Sequence, residues 1–395
     1  MSRQSATTLA VRAGIDSDVA YGAVVPPIVL SSNFSFAGFG QKRKYDYTRS
    51  GNPTRDLLAD ALAELEGGAG SVVTATGMAA VTLVLALLEP GDTLVVPHDC
   101  YGGSWRLFNA LATKNHFRLL TIDLTEPRAL AAALAENPKI VWIETPSNPL
   151  LRVTDIRFVA ESAHRVGALV VADNTFLSPA LQTPIALGAD LVVHSTTKYI
   201  NGHSDVVGGA VIAADAALHE RLVWWANALG LTGSPFDSFL TLRGLRTLGA
   251  RLRVHEENAI ALAELAIAHP AVRAVHYPGL AQHPGHALAA RQQRGFGAML
   301  SIELDGGVEA VKRFLDGLSC FTLAESLGGV ESLVAHPATM THAAMSAEAR
   351  RAAGIGDGLL RLSVGIEALN DLADDLLSAL ARAEASADRC REKQA

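Results

Sequence analysis

The sequence predicts an α/β fold, with a large domain on a mostly parallel sheet and then a smaller C-terminal α/β domain. Three observations carry this reading. Short runs rich in valine, isoleucine and leucine recur through the first half of the chain, among them SVVTA (71–75), TLVVP (93–97), KIVWIE (139–144), ALVVAD (168–173) and DLVVHS (190–195). They are continuous rather than alternating, with helical patterns between most of them, as strands covered by helices on both faces require. Finally, 395 residues at 49% hydrophobic supply enough core for two domains, and no Ser/Gly-rich linker separates them.

Residues 1–55 are irregular and turn-rich, broken at Pro26-Pro27 and Gly51-Asn52-Pro53. Such an arm has little core of its own and is expected to contact a neighbouring subunit. From Asp56, DLLADALAELEGG reads as an amphipathic helix stopped by Gly67-Gly68. SVVTA then leads into the helical MAAVTLVLALL, and TLVVP into SWRLFNALA; FRLLTID, KIVWIE, ALVVAD and DLVVHS follow. These elements define a domain over residues 56–255, and a long helical region from about Asp237 to His269 runs out of it. Residues 256–395 form the second domain, with strand-like VRAVHYP, AMLSIEL and LLRLSVG and helices at GVEAVKRFLDGL and 370–387.

A net charge of −7 without any Lys/Arg cluster argues against nucleic acid as a partner. The opening MSRQSATTLAVRAG holds no apolar run of signal-peptide length, and the longest apolar stretch, Met78–Leu88, is too short to span a bilayer. Cys100, Cys320 and Cys390 are odd in number, widely spaced and free of CxxC pairing. Neither a disulfide framework nor a metal centre is expected, and a reducing cytoplasm fits.

Ligands of open parallel sheets sit at the carboxyl ends of the strands. ALVVAD ends in Asp173, DLVVHS runs into Ser195-Thr196-Thr197-Lys198, and SVVTA leads into Thr76-Gly77-Met78 at a helix start. These groups suit one ligand. A glycine-opened helix N-terminus takes a phosphate, and the hydroxyls of Ser195 and Thr197 can join it. Lys198 can form an imine with an aldehyde, and Asp173 can hold a protonated pyridine nitrogen. That is the chemistry of pyridoxal 5'-phosphate (PLP). Singly, each residue has a plainer reading: Asp173 as a helix cap, Lys198 as a solvated surface residue, Gly77 as a tight turn.

The block Ser195–Asp205, STTKYINGHSD, resembles the lysine signature of the Cys/Met-metabolism PLP enzymes of fold type I. Further matching blocks are YDYTRSGNPT (45–54), TGMAA (76–80), DCYGGSWRLF (99–108), ETPSNPLL (144–151), DNTF (173–176), FTLAESLGGVESL (321–333) and LLRLSVGIE (359–367). The resemblance is nearest to the family's bacterial γ-synthase branch, with the γ-lyases close by. It implies that Tyr101 stacks on the cofactor ring, and that Met78 joins Gly77 at the phosphate. It also implies that Tyr47 and Arg49 reach the phosphate of the neighbouring subunit, in a homotetramer built as a dimer of dimers. Arg361 and Asn148 would bind the substrate α-carboxylate, with Ser326 near the lysine.

The activity implied is γ-replacement on O-succinyl-L-homoserine by L-cysteine, giving L-cystathionine and succinate. Glu325 stands at the acidic position of γ-specific members, and Asp46 and Arg106 fit binding of the succinyl carboxylate. Gly103 stands where methionine γ-lyases tend to carry cysteine. Two same-fold alternatives remain open, a cystathionine γ-lyase and an O-acyl-homoserine sulfhydrylase. A catalytically inert PLP-binding member is the non-enzyme alternative.

Overall fold

A computed structural model of the protein describes residues 4–343, 348, 350 and 353–384. Cys390 and the last residues of the helix expected over 370–387 lie outside them. Seven strands form the large sheet: β1 (Gly70–Thr74), β2 (Thr93–Pro97), β3 (Arg118–Ile122), β4 (Ile140–Glu144), β5 (Leu169–Asp173), β6 (Leu191–His194) and β7 (Gly209–Ala213). Their order is β1-β7-β6-β5-β4-β2-β3, parallel except that β7 runs antiparallel to both neighbours. β7 is an addition to the strands expected from the sequence. The strand side chains divide between two cores: Leu94, Val96, Ile140, Trp142 and Val171 face one, while Val95, Val141, Ile143, Val170 and Ala172 face the other. That split is why the runs read as continuously apolar.

Helices flank the sheet where the sequence places them. The helix α2 (Pro53–Glu66) starts at Asn52, whose side chain accepts from the amides of Thr54 and Arg55, and stops at Gly67 with φ of 77°. The helix α3 (Gly77–Leu85) is capped by Thr76, which accepts from the Ala79 amide, and α4 (Gly102–Thr113) follows β2. The arm is less irregular than expected, since it carries α1 (Ala6–Arg12). Next come α5 (Pro127–Leu134), α6 (Ile156–His164), α7 (Ser178–Leu181) and α8 (Ala216–Leu229).

The long helical region is two helices, α9 (Pro235–Leu245) and α10 (Leu248–Ile267). The break lets Arg251 of α10 donate to the carbonyls of Gly244 and Tyr199, at 2.9 and 2.8 Å, clamping the segment after Lys198. The expected seam at 255/256 falls inside α10, not in a linker. Beyond it, β8 (Val272–His276), β9 (Met299–Leu304), β10 (Thr322–Leu323), β11 (Leu333–Ala335) and β12 (Leu359–Ser363) form a second sheet in the order β10-β11-β12-β9-β8. It packs with α10, α12 (Gly307–Leu315) and α13 (Leu369–Glu384), while α11 (His286–Gln292) bonds back to the large domain through Gln292, on Thr154, Ile156 and Gln182. Among the described residues no helix is long and apolar enough to cross a membrane.

Candidate active site

The carboxyl edge of the large sheet opens on a cavity of about 600 Å³, closed on one side by residues 325–327 and Arg361 of the second sheet's layer. Every residue singled out from the sequence lines it except Asp46, Tyr47 and Arg49. Those three sit on the arm, outside the cavity of their own chain. Lys42 pairs with Asp46 at 2.9 Å and, with Ser50, holds its carboxyl down to about 2. Arg49 donates to the backbone and side-chain oxygens of Asn227 at 2.6 and 2.9 Å.

Lys198 follows β6 in a turn closed by its amide on the Ser195 carbonyl. Its Nζ donates to Ser326 Oγ at 2.6 Å. Ser326 has φ of 81°, a conformation rare for a residue other than glycine and one that recurs at functional sites. Burial, seconded by the Arg361 charge and opposed by Glu325, brings the lysine down to about 8. An amine so placed is neutral far more often than a surface lysine.

Asp173 ends β5 and accepts from the Thr175 amide at 3.0 Å; burial raises its pKa against the Thr175 hydrogen bonds. The Thr175 hydroxyl accepts in turn from the Ser195 amide at 2.9 Å, so the ends of β5 and β6 are tied together. The Thr197 hydroxyl donates to the Gly208 carbonyl and accepts from its amide, which leaves it less free than the sequence suggests. At the start of α3, a Cβ on Gly77 would stand 2.9 Å from Ser195 Cβ and 3.0 Å from its Oγ. Only glycine lets helix and strand end approach there, leaving a concave, donor-lined corner.

Arg361 lies on β12, 3% exposed. It donates to Asn148 Oδ1 at 3.2 Å and to the Ser326 carbonyl at 2.8 Å. Among the described residues its Nε has no partner, and burial lowers its pKa to about 10. A buried guanidinium fixed by two neutral acceptors, with a donor unspent, is built for an incoming anion. At the rim stand Tyr101, 42% exposed, with Arg106 and Glu325, both exposed. Arg106 makes no hydrogen bond or ion pair among the described residues.

Sequence reading missed Glu144, the last residue of β4, which lines the cavity and faces Asp173 in the strand register. It also missed a buried pair behind Asp173. His194 Nε2 and Glu66 Oε1 lie 2.7 Å apart, both fully buried, and Glu66 also accepts from Asn174 at 2.8 Å. Glu144 had one signal available, as the polar end of an apolar run, like Asp173.

A family model described as Cys/Met metabolism PLP-dependent enzyme matches residues 7–381. The chain belongs to this family. It is a PLP-dependent enzyme acting on small amino-acid substrates, and the residues present fit the cofactor. A half-buried amine, a half-buried carboxylate and a corner that only glycine can leave open meet in one cavity. The chain is 59% identical over 377 residues to cystathionine γ-synthase of Escherichia coli K12, covering 95% of this chain and 97% of that protein. It is 46% identical to a cystathionine β-lyase of Coxiella burnetii, covering 94% and 97%. The crystal structure of cystathionine γ-synthase from Xanthomonas oryzae pv. oryzae, in complex with aminoacrylate and cysteine, superposes with a TM-score of 0.96 at 75% identity, covering 97% of this chain and all of that one.

Proposed function

We propose that the enzyme joins O-succinyl-L-homoserine and L-cysteine into L-cystathionine, releasing succinate. The observation that carries this reading is a cavity lined by the Lys198 amine and two separate cations, the buried Arg361 and the exposed Arg106, which is unpaired among the described residues. The succinyl ester has two carboxylates to match them. Similarity to the γ-synthases of E. coli and X. oryzae supports the same choice.

PLP bound at Lys198 supplies an electron sink for the charge left at the substrate α-carbon. Asp173 keeps the ring nitrogen protonated. The Gly77 and Met78 amides hold the phosphate with the Ser195 and Thr197 hydroxyls, helped by Tyr47 and Arg49 from the neighbouring subunit's arm. Tyr101 covers the ring face. Arg361 and Asn148 bind the α-carboxylate, and Arg106 the succinyl carboxylate, with Glu325 and, from the neighbouring subunit's arm, Asp46 shaping the distal pocket. As a free amine, Lys198 would take protons from the substrate Cα and then Cβ; its depressed pKa suits a base working near neutrality. Ser326 Oγ holds the amine in place between transfers.

The reading includes a homotetramer, a dimer of dimers, in the cytoplasm. Residues 1–55 are its intersubunit arm, 56–255 the PLP-binding domain and 256–395 the C-terminal domain. Val19, Tyr21 and Phe39 on the arm stand almost wholly exposed in the single chain, which supports a covering partner. The test is a steady-state comparison of O-succinylhomoserine plus cysteine against cystathionine alone. Cystathionine formation should be the faster reaction. Faster release of 2-oxobutyrate from cystathionine would assign a γ-lyase, and release of pyruvate a β-lyase.

A further inference from the structure

The motif ETPSNPLL contributes Asn148 to the site, yet its first residue, Glu144, has no role in the mechanism above. Glu144 is 7% exposed at the carboxyl end of β4. Its Oε2 accepts from the Tyr101 backbone amide at 2.8 Å. Tyr101 is the N-cap of α4 and makes no side-chain capping bond. Among the described residues its hydroxyl has no hydrogen-bond partner, so the side chain has no polar anchor of its own. Its ring rests over Gly103, where a Cβ would clash with ring carbons. The aromatic is therefore aimed by its backbone, and Glu144 holds that backbone.

We propose that Glu144 is a positioning residue, whose hydrogen bond to the Tyr101 amide fixes the angle at which the Tyr101 ring covers the cofactor. The proposal rests on the reading of Tyr101 as the residue that covers the ring.

The surroundings say in which form Glu144 does this. Asp173 is its register partner on β5. Burial raises the Glu144 pKa well above the usual carboxylate range, the Asp173 charge adds to this, and Asp99 contributes in the same sense. The Tyr101 and Asn148 amides act the other way and are outweighed. Two buried carboxyls side by side do not both ionise readily; the charge goes to Asp173, which faces the ring nitrogen, and the proton to Glu144. What Tyr101 then needs from position 144 is a carbonyl oxygen at the right reach, not a negative charge. Glutamine supplies that reach without charge; aspartate supplies charge one methylene short.

Both substitutions test this in the holoenzyme, beside Tyr101→Ala as a reference. Glu144→Gln should keep kcat within about threefold of the parent and leave the visible circular dichroism of bound PLP unchanged. Glu144→Asp should lower kcat by about ten- to a hundredfold, as for a buried amide left without its acceptor, with KM for the amino acid changed by less than about threefold. Its visible dichroism should move toward that of Tyr101→Ala. The proposal fails if Glu144→Gln is the damaged variant and Glu144→Asp the sound one, or if neither changes kcat or dichroism. If Tyr101→Ala itself leaves the dichroism unaltered, the placement of Tyr101 over the ring falls, and this proposal with it.

Discussion

Raising the pH of the cofactor-free protein titrates Lys198 through the interval in which it becomes able to capture an aldehyde. Its pKa lies at about 8 instead of the ordinary 10.5, first because burial disfavours the charged amine and second because Arg361 repels it. Near pH 7 such a lysine is neutral in about one molecule in ten, against about one in three thousand for an unperturbed amine. The difference is worth about 3 kcal/mol. The rate of PLP capture, followed by the visible absorption of the bound cofactor, should rise with pH and level off above about 8. Replacing Arg361 with Met removes only the lesser cause, so the midpoint should rise yet stay well below 10.5. The linkage has a definite sign. The folded pKa is below the unfolded one, so the unfolded chain binds the proton more tightly. The cost to the cofactor-free fold is present in full below about 8 and relieved as pH rises toward 10.5, where unfolding should become harder by up to about 3 kcal/mol. A capture rate that climbs tenfold per pH unit up to about 10 would show an unperturbed amine and refute the argument.

Other perturbations have equally definite outcomes. Gly77→Ala places a methyl 2.9 Å from Ser195 Cβ, so the cofactor-free protein should melt lower, by about 1–3 kcal/mol of stability, and PLP affinity measured by cofactor titration should fall by about tenfold or more. Mixing Arg49→Ala with Lys198→Ala subunits should recover activity that neither variant shows alone, if the arm completes the neighbouring site; no recovery on mixing or co-expression removes that model. Arg106→Ala should raise KM for O-succinylhomoserine by about ten- to a hundredfold while sparing O-acetylhomoserine, which lacks the second carboxylate. Equal losses on both esters would assign Arg106 to helix packing.

The large sheet was legible because all its strands but the edge strand β3 are buried on both faces, and continuous apolar runs of strand length between helical patterns fit little else. The same burial made the strand ends legible: a polar residue closing such a run, as Asp173 closes β5, must face a cavity or a cap. β7 was not legible. GAVIA is five residues long, lacks a polar terminus, and joins the sheet antiparallel, where no β-α-β rhythm announces it. The break between α9 and α10 was hidden for another reason. Neither glycine nor proline sits at Arg246-Thr247, and what the break serves, the Arg251 clamp on Tyr199, is a contact between residues far apart in the chain. The arm concealed α1 because seven residues are too few for periodicity to show.

The site was legible by residue type and illegible by coupling. Lys198 and Asp173 each have chemistry written in their side chains, so strand position sufficed to single them out, whereas Arg361 entered only through the family resemblance. Glu66 and His194 have chemistry only as a pair. Glu66 stands in the last turn of α2, where it looks like any helix glutamate, and His194 passes for one more residue of an apolar strand. The fold brings them to 2.7 Å in full burial, with Asn174 on the same carboxylate oxygen, immediately behind Asp173. A carboxylate buried without a partner costs several kcal/mol, which makes the His194 contact a condition for Glu66 being there at all. His194 also acts on Asp173, lowering its pKa against the burial that raises it. Burial raises the Asp173 pKa, and the Thr175 hydrogen bonds oppose it ahead of His194, whose own partner, Glu66, lies 128 residues away in the chain. Register and burial decide that arrangement, and neither is a property of any single position in the chain.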